Sequence, residues 1–438
     1  STSRRDFLRA TALAGGGLII GFVVPGARRF AMAQESAAAA PAAFVPNAFL
    51  SIGVDDIVTV QLAHAEMGQG IWTTLPMLIA EELDADWSKI RVQHGPADKV
   101  YTSPVFGMQG TGGSTTTWSE FDRYRQAGAT ARAMLLQAAA ARLKVPVDQL
   151  RTENGAVVSG TTRLRYGELA NEAGTQTPPA LDALKLRDPK DWKLIGKATK
   201  RLDTPEKITG KAKFGMDMQF EGLLTAVVLR SPVFGGTVKS FDATKTRAVA
   251  GVRNVVQVPS GVAVIADHYW AAKLGRDALQ VVWEGDANAK LDSTALREQF
   301  SQLARTEGAV AARAGDVAGA LAKADKTLEA EYAVPYLAHA AMEPLNCTVK
   351  IGDGECDIWC GTQFPTLDQN SAARILGLPP EKIRIHTPFL GGGFGRRATP
   401  TADVVSEAVE VAKAAKAPVK TVWTREDDTR GGYYRSAF

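Results

Sequence analysis

The sequence has few cysteines and none of the common motifs for nucleotide binding or nucleophilic catalysis. Its three cysteines, Cys347, Cys356 and Cys360, match neither a C-x-x-C metal site nor the spacing of an iron–sulfur cluster. A GxGxxG dinucleotide fingerprint, a P-loop lysine motif and a GxSxG nucleophile elbow are also missing. We therefore expect neither an internal iron–sulfur centre, nor a conventional dinucleotide site, nor a serine hydrolase.

The chain also carries little excess charge. Five arginines and one aspartate within residues 1–33 account for the formal net charge of +4, so the remainder is near neutral. This balance gives no reason to expect a nucleic acid or an acidic membrane surface as a partner. With 438 residues, 45% of them apolar, the chain is long enough for several globular domains.

Residues 1–33 have the pattern of an export signal. Residues 3–8 (SRRDFL) match a twin-arginine motif, an apolar run follows at residues 10–24, and Ala31-Met32-Ala33 offers small residues for cleavage. A membrane-spanning helix is the alternative, but a run of about 15 residues with three glycines is short for that role. We predict twin-arginine export of a folded, cofactor-loaded protein to the periplasm, with membrane association only through partners. Residues 34–46 are predicted to be a linker.

The glycine-rich segment GGGFGRR, residues 391–397, is the most distinctive feature of the chain. Alternating apolar residues at 383–390 predict a strand before it, and helical spacing predicts a helix from Asp403. Glycines expose backbone N–H groups where a helix starts, which favours an anion. Arg396 and Arg397 add charge suited to phosphate or oxo groups. The alternative is a tight turn followed by solvated arginines.

Two other glycine-rich segments also stand between a predicted strand and a predicted helix. The first, EMGQG at residues 66–70, precedes a helix predicted at residues 71–83 and exposes the amide of Gln69. The second, GTGGSTTT at residues 110–117, is rich in hydroxyls and precedes a helix predicted at residues 119–143. Either segment could instead be a helix-leading turn, with Thr117 or Ser119 as a cap.

Short alternating strands, predicted at residues 223–229, 252–258, 262–266 and 279–283, indicate a compact α+β module within residues 193–284. A polar linker is predicted before it, at residues 171–189. Residues 286–321 are predicted to be helical with a break at Gly315-Asp316, and residues 328–333 to form a strand. Asp353-Gly354 predicts a hairpin turn that places Cys347 opposite Cys360, where we expect free buried thiols rather than a disulfide. His339 and Glu343 are expected to form a buried hydrogen-bonded pair rather than bind a metal.

Six segments together resemble the molybdenum-binding large subunit of the xanthine dehydrogenase/aldehyde oxidase family. They are residues 66–70, 111–117, 201–218 (RLDTPEKITGKAKFGMDM), 339–346, 362–364 and 391–397. Within that family, the chain resembles an exported branch that includes isoquinoline 1-oxidoreductase and membrane-associated bacterial aldehyde dehydrogenases. The resemblance implies a multidomain α+β fold. An α/β hammerhead module at residues 191–290 would lie between cofactor-binding segments at residues 47–190 and 291–438.

The resemblance also implies a molybdopterin cofactor with molybdenum, in its cytosine dinucleotide form. By matching position, Gln363 would hydrogen-bond the apical oxygen on molybdenum, and Phe394 and Gly395 would offer backbone donors beside the pterin and the metal. The other implied cofactor-binding residues are Gly68, Gln69, Gly70, Ser114, Thr116, Thr117, Gly392, Gly393 and Arg396. No side chain is expected to ligate the metal directly.

The implied activity is oxidation of an aldehyde or an N-heteroaromatic ring carbon, with water as the oxygen source. Electrons would leave through a small [2Fe-2S] subunit and a haem c subunit. The family's glutamate base is expected beyond Phe438, so we expect this polypeptide alone to be inactive. Two alternatives stay open at this point: a non-catalytic subunit that binds or matures the cofactor, and an exported sugar-binding or structural protein.

Overall fold

The computed structural model describes residues 18–20, 49–285 and 287–435. The predicted export signal and the linker at residues 34–46 therefore lie outside the described residues, apart from one short strand. The strands, in chain order, are β1 Leu18–Ile20, β2 Leu50–Ile52, β3 Val58–Leu62, β4 Ile90–His94, β5 Arg151–Glu153, β6 Ala156–Ser159, β7 Thr162–Arg165, β8 Leu224–Arg230, β9 Thr237–Asp242, β10 Val252–Val258, β11 Gly261–Ala266, β12 Gln280–Glu284, β13 Leu337–Ala338, β14 Asn346–Gly352, β15 Glu355–Trp359, β16 Ile383–His386, β17 Val419–Val422 and β18 Tyr434–Arg435. The helices are α1 Ile71–Leu83, α2 Thr116–Leu143, α3 Tyr166–Thr175, α4 Thr204–Ile208, α5 Thr244–Arg247, α6 Tyr269–Asp277, α7 Ser293–Leu303, α8 Val317–Ala322, α9 Pro365–Leu376, α10 Asp403–Ala415 and α11 Arg425–Arg430.

The chain divides into two compact units. The first comprises Ser1–Leu223 and Ala341–Thr421, and the second comprises Leu224–Ala340 and Val422–Phe438. Helices and several separate sheets occur together, which confirms the predicted α+β class. Among the described residues, no helix is long and apolar enough to cross a bilayer.

In the first unit, α1 and α2 pack together beside the sheet β2–β3–β4. Gly128 of α2 allows the close approach, since a Cβ there would lie 2.5 Å from the carbonyl oxygen of Ile79. The buried Tyr124 hydroxyl donates to the Gln61 carbonyl at 2.8 Å and accepts from the Ala63 amide at 2.9 Å. These contacts fix the end of β3, from which the segment carrying residues 66–70 departs.

The same unit contains a second sheet, in which β14 and β15 form a hairpin and β15 pairs with β16 in parallel. The hairpin turns at Asp353-Gly354, as predicted, because Asp353 has a φ of 51° and Gly354 a φ of 74°. Its register, Thr348 opposite Trp359, continues to Cys347 opposite Cys360. All three cysteines are free and buried, which confirms the expected thiols.

The second unit is built around the antiparallel strands β8, β11 and β10, with α6 packed against them. Gly275 of α6 lies against Val252 and Val264, where a Cβ would come within 2.9 Å of both side chains. The strands predicted between residues 223 and 283 are all present, each displaced by no more than one residue. Their apolar alternation explains this agreement.

Two predictions about segments differ from the structure. Residues 328–333 form no strand, and Leu328 and Tyr332 are 91% and 82% exposed, because no neighbouring described strand pairs with them. Residues 304–316 are not helical. The carboxylate of Glu343 is bonded to four groups described below.

Residues 187–223 belong to the first unit. Buried carboxylates on α1 hold residues 187–195 to that unit. Glu81 accepts hydrogen bonds from the backbone amides of residues 193–195, and Glu82 accepts one from the amide of Arg187. Charge-assisted hydrogen bonds therefore attach Arg187, near the end of the segment predicted to be a linker, and residues 193–195 to a helix of the first unit.

Candidate functional site

The GGGFG segment forms an open loop between β16 and α10. Gly392, Phe394 and Gly395 have φ angles of 102°, 56° and 95°, and the Phe394 side chain is 72% exposed. Glycine adopts this left-handed region at no steric cost, whereas the conformation of Phe394 is unfavourable and must be held by its surroundings. The loop is therefore kept in an uncommon backbone conformation at the surface of the first unit.

Three successive peptide groups of this loop have their carbonyls bonded and their amides open. The carbonyls of Gly391, Gly392 and Gly393 accept from the Glu343 amide at 3.1 Å, Arg397 Nε at 3.0 Å and the Arg396 amide at 2.9 Å. Within the described residues, the amides of Gly392, Gly393 and Phe394 donate to no protein group. Adjacent unpaired amides form a concave donor surface that suits an anion or an oxo group.

Gln363 lies beneath this loop and connects it to the 110–117 segment. The residue is 2% exposed; its Oε1 accepts from the Gly395 amide at 3.0 Å, and its Nε2 donates to the Thr111 carbonyl at 2.9 Å. A Cβ at Gly393 would lie 2.7 Å from Gln363 Oε1. Gln363 thus keeps one amide hydrogen beyond the bond to Thr111, and only glycine fits above it.

The two arginines behind the loop do not present free charge. Arg396, 2% exposed, binds Asp403 through two hydrogen bonds of 3.0 and 2.8 Å. Arg397 is also buried and forms an ion pair with Glu343 at 3.0 Å. The expectation that their guanidinium groups attract an anion is not supported, because each is neutralised within the unit.

The EMGQG loop is organised around the buried carboxylate of Glu66. Its oxygens accept from the amides of Gly68 at 2.9 Å, Gly70 at 3.2 Å and Trp72 at 2.9 Å. Gln69 bonds to its own loop, with Oε1 accepting from the Met67 amide at 2.7 Å. A carboxylate of the chain itself thus occupies the anion position at the start of α1.

Three charged residues that the sequence analysis did not single out complete this loop. Arg201 binds Glu66 at 3.1 Å and Asp203 at 2.6 Å, and Lys207 binds Asp203 at 2.6 Å. Partial burial acts to raise the pKa of Asp203. The hydrogen bonds and positive charges of Arg201 and Lys207 together outweigh burial and lower that pKa to about 2. An isolated glutamate two residues before a glycine turn is the sequence signal that could have identified this cluster.

The 110–117 segment ends at the start of α2, a helix of 28 residues whose N-cap, Thr115, makes no side-chain cap bond. Ser114 and Thr117 are exposed. Thr116 is buried, and its hydroxyl lies 3.1 Å from Nδ1 of His64, so it faces the interior. Among the described residues, the amides of Gly113, Ser114, Thr116 and Thr117 have no hydrogen-bond partner. This is a second donor-rich surface, at the positive end of a long helix.

The structure brings the three glycine-rich segments together. Thr111 Oγ1 accepts from the Ala65 amide at 2.8 Å, and the Leu390 amide donates to the Glu66 carbonyl at 3.1 Å. A Cβ at Gly393 would lie 2.8 Å from the sulfur of Met67. Segments more than 300 residues apart in sequence therefore form one continuous site. Within the described residues, no group of three or more His, Cys, Asp or Glu side chains could hold a metal ion directly.

Two titratable groups lie beside this site. Asp368 lies on the first turn of α9, just after Gln363 in the chain. Burial raises the pKa of Asp368 to about 7, and the negative charge of nearby Asp403 contributes to this rise. Burial lowers the pKa of His94 to about 4. The His94 Nδ1 lies 2.8 Å from the Thr387 carbonyl, and its Nε2 accepts from the Glu66 amide at 2.9 Å. Those bonds require the neutral ring with its proton on Nδ1.

Comparison with known proteins identifies the chain's family. Two models of the molybdopterin cofactor-binding domain match it, one over residues 15–207 and one over residues 301–438. It is 37% identical to the beta subunit of isoquinoline 1-oxidoreductase from Brevundimonas diminuta over 93% of this chain and 58% of that protein. The chain belongs to the molybdopterin cofactor-binding family.

Two other relatives are informative. The chain is 32% identical to the membrane-bound aldehyde dehydrogenase (pyrroloquinoline-quinone) of Gluconacetobacter polyoxogenes, over 100% of this chain and 57% of that protein. It is 30% identical to a nicotinate dehydrogenase subunit of Pseudomonas putida, over 87% of this chain and 32% of that protein. The chain thus spans at most 58% of these relatives' lengths.

Proposed function

We propose that this molybdopterin-binding chain is part of the large subunit of a molybdenum hydroxylase. The substrate would be an aldehyde or an N-heteroaromatic compound, oxidised at carbon with water as the oxygen source. The observation that carries the proposal is the pair of open amide surfaces, at residues 392–394 and 113–117, connected by Gln363. Relatives named for isoquinoline, aldehyde and nicotinate oxidation support the substrate class.

The residues present fit such a cofactor. Residues 113–117 combine unpaired amides, exposed hydroxyls on Ser114 and Thr117, and the positive end of α2, which suits phosphate. Residues 392–394 offer neutral N–H donors without a side chain in the way, apart from the exposed Phe394. A bound molybdopterin supplies the redox chemistry, while the protein binds it, orients it and limits access of water.

Each predicted cofactor-binding residue would take part in one of three ways. Gly392, Gly393, Phe394, Ser114 and Thr117 would contact the cofactor directly. Gln363 would offer its remaining amide hydrogen. Gly68, Gln69, Gly70, the hydroxyl of Thr116, Gly395 and Arg396 would support the loops, because their hydrogen bonds or conformations are used within the protein.

The finer features of the function are proposals on the same basis. They comprise the cytosine dinucleotide form of the cofactor, the [2Fe-2S] and haem c partners, twin-arginine export to the periplasm, and a hammerhead module between the cofactor-binding segments. Relatives that are themselves named as subunits support partner chains, and a membrane-bound relative supports a membrane-associated complex.

The deciding experiment is analysis of the complex purified from its native host through an affinity tag on this chain. We expect about one molybdenum per chain and cytidine monophosphate on acid hydrolysis. A panel of aldehydes and N-heteroaromatics with an artificial electron acceptor then tests turnover, with the oxygen source followed in labelled water. Protein without molybdenum but with extractable pyrroloquinoline quinone would refute the proposal. Molybdenum without turnover on any substrate would favour the alternative, a non-catalytic cofactor-binding role.

A further inference from the structure

The geometry points to Arg397 and Glu343 as positioning residues that turn the amides of Gly392 and Gly393 toward the cofactor. This inference rests on the proposed function, since it concerns the same cofactor. Both side chains are buried, at 7% and 8% exposure. Neither was predicted to have this role from the sequence, which suggested only that Arg397 adds positive charge.

Each of the three guanidinium nitrogens of Arg397 donates a hydrogen bond to the loop or to a segment that supports it. Its Nε donates to the Gly392 carbonyl at 3.0 Å and its Nη1 to the Gly361 carbonyl at 3.2 Å. Its Nη2 donates to the carbonyl and the carboxylate of Glu343, at 3.2 and 3.0 Å. Its own carbonyl accepts from the Gln363 amide at 3.0 Å. Arg397 thus connects the loop to the segment that leads into Gln363.

Glu343 holds the loop from the same side. Its backbone amide donates to the Gly391 carbonyl at 3.1 Å, and its Oε2 accepts from the Gly391 amide at 2.9 Å. Its Oε1 accepts from Asn346 Nδ2 at 3.0 Å and from the Met216 amide at 3.2 Å. Four donors, Arg397 among them, therefore satisfy the buried carboxylate, which leaves it one geometry.

These bonds determine which way the open amides face. In a planar trans peptide group the C=O and the following N–H point in opposite directions, and no described peptide bond is cis. Because Glu343 binds the Gly391 carbonyl, the Gly392 N–H points away from it. Because Arg397 binds the Gly392 carbonyl, the Gly393 N–H points away from Arg397. The pair therefore acts on the cofactor through the orientation of two peptide groups, and its charge is neutralised internally.

The test is Arg397→Lys in the full complex. Lysine retains the charge but cannot reproduce the planar fork that reaches three segments. We expect cofactor affinity to fall about ten- to hundredfold, as for other residues that orient ligating groups. Molybdenum per chain after dialysis measures this loss. Hydrogen exchange of peptides spanning residues 388–398 should also accelerate at the bonded amides of Gly391 and Gly395.

The matched control is Arg384→Lys. Arg384 lies on β16, which leads into the loop, and it forms ion pairs with Glu355 and Asp357, neither of which is hydrogen-bonded to the loop. Equal molybdenum content in the two variants overturns the inference, whether or not the loop exchanges faster. If Arg397→Lys does not accumulate as folded protein, the isosteric Glu343→Gln tests the same contacts and should lose molybdenum in the same direction. If the wild-type protein contains no molybdenum, the proposed function is refuted instead. Hydrogen exchange of residues 388–398 in the wild type and Arg397→Lys then tests only whether Arg397 holds the loop in its conformation.

Discussion

Raising the pH from 5 to 8 should destabilise the first unit through one buried carboxyl group, that of Asp368. This residue is 7% exposed on the first turn of α9, and it is bonded to Thr362, next to Gln363. Burial and the nearby Asp403 raise its pKa from 3.8 to about 7. The folded state therefore holds a proton that the unfolded chain releases at a much lower pH.

The sign and size follow from proton linkage. Because the pKa of Asp368 is raised in the folded state, the stability that its bound proton contributes is fully present below pH 3.8. That stability is lost as the pH rises through 7. With these two pKa values, the free energy of unfolding should fall by about 2.5 kcal/mol between pH 5 and pH 8. Asp368→Asn removes this dependence, because the amide of asparagine does not titrate in this range and has nearly the same shape.

The measurement is urea unfolding of the wild type and Asp368→Asn at pH 5, 6, 7 and 8, with the difference between them taken at each pH. Taking the difference in the free energy of unfolding removes the effect of groups that titrate in both proteins. The stability of the variant relative to the wild type should increase as the pH rises. Asp353→Asn, an exposed aspartate on the hairpin turn, is the control for loss of one negative charge. Parallel stability profiles for wild type and Asp368→Asn would refute the reasoning.

The remaining predictions concern the loops themselves. For His94, whose pKa is lowered from 6.5 to about 4 by burial, stability present above pH 6.5 should be lost as the pH falls toward 4. The loss should be at most about 3.4 kcal/mol, and His94→Gln should abolish it in urea unfolding. Gly393→Ala should displace Gln363 and reduce bound molybdenum several-fold, whereas Gly352→Ala, where a Cβ meets no atom within 4 Å, should bind normally. Glu66→Gln should destabilise the first unit by about 3 kcal/mol, because Arg201 loses a buried partner and three amides lose an anionic acceptor. An unchanged unfolding midpoint for Glu66→Gln would show that the carboxylate does not organise its loop.

Regular elements were predictable because their information is local. The helix Ile71–Leu83 has the predicted bounds, and the strand Val252–Val258 does as well, since periodic apolar residues determine both. The strand predicted at residues 328–333 was wrong because alternation describes a strand only if a neighbour supplies hydrogen bonds. The attachment of residues 187–195 to the first unit could not be inferred from the sequence, because it depends on carboxylates a hundred residues earlier.

The site was predictable in its backbone and not in its charges. Glycine and hydroxyl content indicated where amides would be open, and Gln363 lies between the two open surfaces. The directions of Arg396, Arg397 and Gln69 could not be inferred, because each depends on a buried partner or on a local fold-back. Sequence spacing gives the position of a long side chain but not which of several polar groups it will meet.

The placement of charge in this site has a consequence for how it recognises an anionic cofactor. The cations beside the loops, Arg396, Arg397 and Arg201, are each paired with a carboxylate. With these three cations paired, the described part of the loops offers a ligand open N–H groups and a helix terminus. Such dipoles favour negative charge only along their own direction and over a short distance. Binding must then depend more on loop geometry than on net charge, so a substitution that preserves charge but rotates a peptide group should do more damage than one that removes a distant cation.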